Sequence, residues 1–139
     1  MPLAGETVPW DCGPGDVVLV IDDDPAVRSS LKFSLEIEGF DVRTFATPDE
    51  ILDATDLPPS GCLVVDYHLP RLNGLDLLRE LSDRKVQMPA ILITSHPTAN
   101  VRQRASSAGV LVIEKPLLSN ALSEALRDSL ARLAPLPRA

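Results

Sequence analysis

Two cysteines in 139 residues, Cys12 and Cys62, cannot build a disulfide framework. Neither sits in a CxxC or His-rich setting that would suit structural zinc, and Cys62, opening an apolar run, reads as a buried thiol. No uninterrupted apolar stretch approaches the roughly 20 residues needed to span a bilayer. The first residues also lack a basic start followed by an apolar run, so the expectation is a cytoplasmic protein without membrane association. Bases are outnumbered, 13 Lys and Arg against 20 Asp and Glu, for a net charge of −7. That balance argues against nucleic acid as a partner of this domain alone, because phosphate binding needs a surplus of Lys and Arg.

The charge is uneven. Residues 1–83 hold 17 acids and 5 bases, while residues 84–139 hold 3 acids and 8 bases. One part of the chain therefore collects the carboxylates. Length and a hydrophobic share of 45% suit one domain with a single core.

Five times a short β-branched run is followed by a helical pattern, with Gly or Pro before the run and Pro after it. The runs are VVLVI (17–21), DVRTF (41–45), CLVVD (62–66), AILIT (90–94) and VLVI (110–113). The helices are expected over 25–38, 48–56, 74–84, 98–108 and 118–133. Pro suits a helix's first turn, and Gly suits the left-handed residue that ends one. Alternating β and α elements with short connections predict an α/β fold with a parallel sheet covered on both faces. VVLVI, CLVVD and AILIT are apolar throughout, as strands buried on both faces should be, whereas DVRTF alternates more and is placed at an edge.

In the first helix Val27, Leu31 and Leu35 form a stripe that Phe33 and Ile37 are expected to widen, with Arg28, Lys32 and Glu36 opposite. Leu118, Leu122, Leu126, Leu130 and Leu133 mark the packed face of the last helix. The expected division is an irregular tail over 1–15, a domain over 16–133 and a second tail over 134–139.

Ligands of open parallel sheets bind at the carboxyl ends of the strands. Asp22, Asp23 and Asp24 follow the first strand there, Asp66 closes the third, Thr94 closes the fourth and Lys115 follows the fifth. Asp24, preceding Pro25, reads as a helix cap. Three carboxylates gathered without a cation would raise one another's pKa values. A divalent ion resolves that conflict, and hard oxygen ligands from separate loops suit Mg²⁺. Beside it, Asp66 has the makings of an in-line nucleophile toward phosphorus, Lys115 of a charge partner for the phosphoryl oxygens and Thr94 of a hydrogen-bond donor.

Here the sequence resembles the receiver domains of two-component response regulators. The resemblance rests on VLVIDDD at 18–24, VVDYHLPRLNG at 64–74, ILITS at 91–95 and IEKP at 113–116, and covers roughly residues 16–133. The stretch from Ile21 to Phe45 looks most like receivers of nitrogen-fixation and LuxR-type regulators. The resemblance implies a flavodoxin-like (βα)5 doubly wound sheet of order 2-1-3-4-5 and an aspartate, Asp66, that takes phosphate from a histidine kinase or a histidine phosphotransfer protein. It also implies Asp22, Asp23, Asp66 and the His68 backbone carbonyl around Mg²⁺, with Thr94 as switch hydroxyl and Lys115 as phosphate partner. A cis bond at Pro116 and a turn with positive φ at Gly74 belong to the same expectation, as does kinase docking near Arg28, Lys32 and Leu117.

Two departures stand out. Val112 occupies the position, three residues before the lysine, where the family usually has Tyr or Phe, so an aromatic readout from that strand is not expected. Leu69 stands where Met is frequent. His68 and His96 lie where side chains tune acyl-phosphate hydrolysis in the family, or they are plain solvent-exposed loop residues. Between Arg84 and Ile113 there are four bases and no acid, and Arg102 and Arg104 fall on the fourth helix. With the fifth strand and fifth helix, that helix is the family's face for a downstream protein or a homodimer.

The leading expectation is a signalling switch rather than an enzyme. It is either a stand-alone receiver or a fragment of a longer regulator, since no output domain follows Leu133. A docking-only receiver that never takes phosphate is the alternative. An aspartyl-nucleophile phosphatase fits less well, because such enzymes carry a second Asp where this chain has His68.

Overall fold

The computed structural model describes residues 17–58, 60–86 and 88–115, together with Leu122, Ala125 and Leu126. Among the described residues nine elements alternate in chain order: β1 (Val17–Ile21), α1 (Pro25–Ile37), β2 (Asp41–Phe45), α2 (Pro48–Leu52), β3 (Cys62–Asp66), α3 (Gly74–Asp83), β4 (Ala90–Thr94), α4 (Ala99–Ser107) and β5 (Leu111–Glu114). All strand pairs are parallel, in the order β2-β1-β3-β4-β5. This is the doubly wound order expected, with DVRTF at one edge.

Side chains alternate across the sheet and so feed two layers. Val18, Val20, Val64, Ile91 and Ile93 meet Leu31 and Leu35 of α1, with Leu122 and Leu126 on the same face. Leu19, Ile21, Leu63 and Val65 meet Ile51, Leu77 and Leu81 on the opposite face. Leu92 packs with Leu75, Val101 and Ala105 under α4. Each such side chain stabilises the fold by about 1.5–3 kcal/mol relative to exposure, which fixes the strand ends that carry the polar residues.

The helix starts follow from capping. Asp24, Thr47, Asn73 and Thr98 each accept a backbone N–H from the first turn of α1, α2, α3 and α4. Gly39 and Gly109 take positive φ after α1 and α4, as expected for helix ends. The end of α3 uses Lys85 at φ 70° instead, with Val86 N–H donating back to Leu81 O at 2.9 Å.

Four expectations need correction. Phe33 and Ile37 do not widen the buried stripe: they are 69% and 70% exposed. At about 100° per residue they project roughly opposite Leu31 and Leu35, so their azimuth carries them away from the sheet although both are apolar. Helix α2 ends at Leu52 rather than near 56, because Asp53, Thr55 and Asp56 favour side-chain bonding to local backbone over helix, and Arg43 holds the Asp56 carbonyl at 3.2 Å. Strand β5 begins at Leu111, since Val110 N–H closes the end of α4 on Ala105 O. Gly74 is absent from the positive-φ residues and is the first residue of α3. The cis bond at Pro116, the terminal tails, Cys12, Leu117 and most of the fifth helix lie outside the described residues.

Candidate functional site

The ladder itself carries the polar residues to one edge. Asp22 N–H continues the β1–β2 pairing by donating to Phe45 O at 3.1 Å, and Lys115 N–H continues β4–β5 by donating to Thr94 O at 2.9 Å. Asp66 ends β3 beside β1, and Thr94 ends β4 beside β3. The crevice between β1 and β3 is where the strand order reverses.

Asp22 (1% exposed), Asp66 (5%) and Thr94 (1%) are buried there, and Asp23 is exposed. One carboxylate oxygen from each of Asp22, Asp23 and Asp66 lies within 4.8 Å of the others. Lys115 Nζ stands 3.4 Å from Asp66 Oδ2 and 3.5 Å from Asp22 Oδ2. Those are ionic contacts, longer than directed hydrogen bonds. Asp22 Oδ1 accepts Asp24 N–H at 2.9 Å, and Asp66 Oδ1 accepts His68 N–H at 3.2 Å. Asp22 Oδ2 and Thr94 Oγ1 are buried with no hydrogen-bond partner among the described residues. Burial pushes the Asp22 carboxyl above the ordinary range, and the Asp66 charge adds to the effect against the opposing Asp24 N–H and Lys115.

A buried carboxylate oxygen, Asp22 Oδ2, that only the Lys115 ammonium contacts, an unpartnered Thr94 hydroxyl and three converging carboxylates make a set of hard oxygen donors. Their chemistry fits a divalent cation of the Mg²⁺ kind beside a group that accepts a hydrogen bond from Thr94.

The five expected side chains therefore come together. Of His68 only the backbone reaches the site, through its N–H, and its side chain is exposed, as are those of His96 and Ser95. Asp24 caps α1 as expected, its Oδ1 accepting Ala26 N–H at 2.9 Å. Gly74 is required by proximity: an added β-carbon would lie 2.6 Å from Asp66 O. Three features escaped the sequence reading. Arg28, expected on the solvated face, donates Nη1 to the Asp22 carbonyl at 2.8 Å. Arg104 pairs with Asp76 at 2.9 Å, and Asp76 is bonded in turn to the α3 cap Asn73. The N-x-x-D spacing from Asn73 to Asp76 was a readable signal for the cap, but not for Arg104. Arg102 lies 3.8 Å from Glu114, so both α4 arginines have partners within the domain.

A parallel sheet of order 2-1-3-4-5 with a carboxylate pocket facing a lysine at its carboxyl edge defines a flavodoxin-like domain with an acidic site. Residues 18–127 match the family profile described as the response regulator receiver domain, and the chain belongs to that family.

The chain is 40% identical over 118 residues to the transcriptional regulatory protein FixJ of Azorhizobium caulinodans, covering 84% of this chain and 56% of that protein. It is similar to the crystal structure of FixJ-N, with TM-score 0.74 and 34% identity over 84% of this chain and 94% of that one. It is also similar to the response regulator TrrA of Thermotoga maritima, solved in complex with Mg²⁺-BeF, with TM-score 0.70, 25% identity and coverage of 81% and 97%. The chain spans about half the length of the FixJ proteins it matches. Among the described residues no helix is long and apolar enough to cross a membrane.

Proposed function

We propose that residues 16–133 form a phosphoacceptor switch of a two-component or phosphorelay system, modified on Asp66 in the cytoplasm. The observation that carries this reading is the buried Asp66 carboxylate with its Oδ2 toward Lys115 and the unpartnered Thr94 hydroxyl in the same pocket. Asp22, Asp23, Asp66 and the His68 carbonyl would hold Mg²⁺, which supplies charge neutralisation for the incoming phosphoryl group. The Mg²⁺-BeF complex of the Thermotoga relative supports that assignment.

Asp66 Oδ1 is engaged by His68 N–H, which leaves Oδ2 to attack. The Oδ2–P bond forms as the bond from phosphorus to the donor nitrogen or oxygen breaks, and the leaving group departs with that electron pair. Lys115 compensates charge on the phosphoryl oxygens and Thr94 donates to one of them. The donor is a histidine kinase or histidine phosphotransfer protein. Output passes to a protein target or a second copy at the α4–β5 edge, where Leu111 is exposed.

The test is incubation with Mg²⁺ and acetyl phosphate, followed by intact mass. A single phosphoryl adduct that requires Mg²⁺ and is lost in Asp66→Asn is expected. No adduct on a folded wild-type chain that binds Mg²⁺ refutes the reading in favour of phosphate-independent docking.

A further inference from the structure

We propose that Tyr67 is the positioning residue that passes a change at Asp66 to α4; this rests on the phosphoacceptor reading above. Tyr67 follows Asp66 directly, and its half-buried ring packs on the cluster of Leu75, Leu92, Val101 and Ala105 beside Val110 and Val112. Among the described residues it is the aromatic member of this cluster, to which β5 contributes Val112.

The backbone of Tyr67 is held on both sides. Its N–H donates to Ile93 O at 2.9 Å and its carbonyl accepts Gly74 N–H at 2.8 Å. A local perturbation is therefore taken up by the side chain, a half-buried ring packed on apolar atoms. The ring edge meets the His68 ring at 5.1 Å between centroids and 84° between planes, and His68 N–H bonds Asp66 Oδ1. A contiguous path runs from the Asp66 carboxylate through His68 and Tyr67 to the inner face of α4.

The chemistry at Asp66 biases this path. Phosphorylating Oδ2 forms a mixed anhydride and turns Oδ1 from a carboxylate oxygen into an acyl carbonyl oxygen, a weaker acceptor for His68 N–H because charge assistance is lost. His68 then loosens, and the Tyr67 ring loses its edge-to-face neighbour. The receiving element is weakly held: α4 buries only Val101 and Ala105, and apart from Ala99 its other residues are polar. Its ties to the rest of the domain include two partly exposed ion pairs, Arg104–Asp76 and Arg102–Glu114. Elements with few buried contacts lie at the low-stability end of a fold, where small biases move populations.

Tyr67 is the only tyrosine in the chain, so 3-fluorotyrosine labelling of the full chain gives one fluorine resonance. Mg²⁺ and acetyl phosphate should shift that resonance in step with the adduct seen by mass, and should change hydrogen exchange of the α4 amides. Tyr67→Leu should form the adduct at the wild-type rate yet lose the α4 response, while Tyr67→Phe keeps it. An adduct without a fluorine shift, or an α4 response that survives in Tyr67→Leu, overturns the proposal while leaving the phosphoacceptor reading intact. Absence of any adduct overturns both.

Discussion

Replacing Gly74 with alanine sets two physical effects against each other. Gly74 opens α3 with a φ outside the left-handed region, so alanine meets no backbone strain there. Helix propensity and reduced unfolded-state entropy alone would make Gly74→Ala more stable by about 0.5–1 kcal/mol. Against this, the new β-carbon would lie 2.6 Å from the Asp66 carbonyl oxygen, 2.8 Å from Leu92 Cδ1 and 3.0 Å from Val65 Cγ1. Leu92 and Val65 are fully buried and Asp66 O is backbone, so none can swing aside cheaply. Overpacking of this kind costs about 1–3 kcal/mol, and opening the gap also stretches the Gly74 N–H bond to Tyr67 O. The expected net result is destabilisation by about 1–2 kcal/mol, which with a urea slope of about 1–3 kcal/mol/M lowers the midpoint by roughly 1 M. Because the clash falls on the carbonyl of Asp66, the proposed phosphoacceptor, phosphorylation from acetyl phosphate should slow as well. A Gly74→Ala protein as stable as wild type or more so would refute the reasoning, by showing that the loop before α3 relaxes freely.

Asp22→Asn tests the buried carboxylate. Its pKa in the fold is raised above the ordinary 3.8, so its contribution to stability is fully present below that value and lost as pH rises through the folded pKa. In chelator, thermal melts should show Asp22→Asn gaining on wild type as pH rises through that window, and a variant that instead falls behind would contradict the assigned direction. Phe33→Ser with Ile37→Ser should change the urea midpoint little, since surface changes usually stay within about 0.5 kcal/mol, whereas Leu35→Ala should cost about 2–5 kcal/mol; comparable losses would place Phe33 and Ile37 in the core after all. The Arg104–Asp76 pair is about 40% exposed, so a double-mutant cycle should give a coupling below about 1 kcal/mol that falls with added salt. A larger, salt-insensitive coupling would mean that the pair is more deeply shielded than it is in this structure.

What the sequence made legible was mostly local or periodic. Strands β1, β3 and β4 are legible to the residue because Gly or Pro brackets runs that are apolar on both faces, and the alternating β2 is legible because Gly39 and Pro48 bracket it. The site followed from the rule that strand ends gather ligands: Asp22, Asp66 and Thr94 are each the last residue of an apolar run or the one after it. Misreadings arose where residue type stood in for geometry. Phe33 and Ile37 are apolar but sit on the wrong azimuth, and Gly74 is a glycine kept for its missing β-carbon rather than its φ. The Arg104–Asp76 pair spans 28 positions and the Arg28 bond to the Asp22 carbonyl depends on how α1 leans on β1, so neither has a signature in spacing.

The distribution of rigidity suits the proposed switch, in which one domain holds a demanding site and responds to it. Leaving Thr94 Oγ1 buried without a partner costs about 1–3 kcal/mol, and three carboxylates beside a single lysine add repulsion. Such an arrangement persists only where surrounding packing over-determines it. It sits on β1, β3 and β4, whose residues from Val18 to Ile21, Leu63 to Val65 and Ile91 to Ile93 are at most 2% exposed. The strain cannot relax by moving those strands, so binding an electropositive ion and an accepting group is the available relief. Neighbouring α4 follows the opposite rule, with two buried residues and a polar surface. On the proposed reading, a site that cannot yield beside a helix that can sends its free-energy changes into the helix, with Tyr67 packed between them.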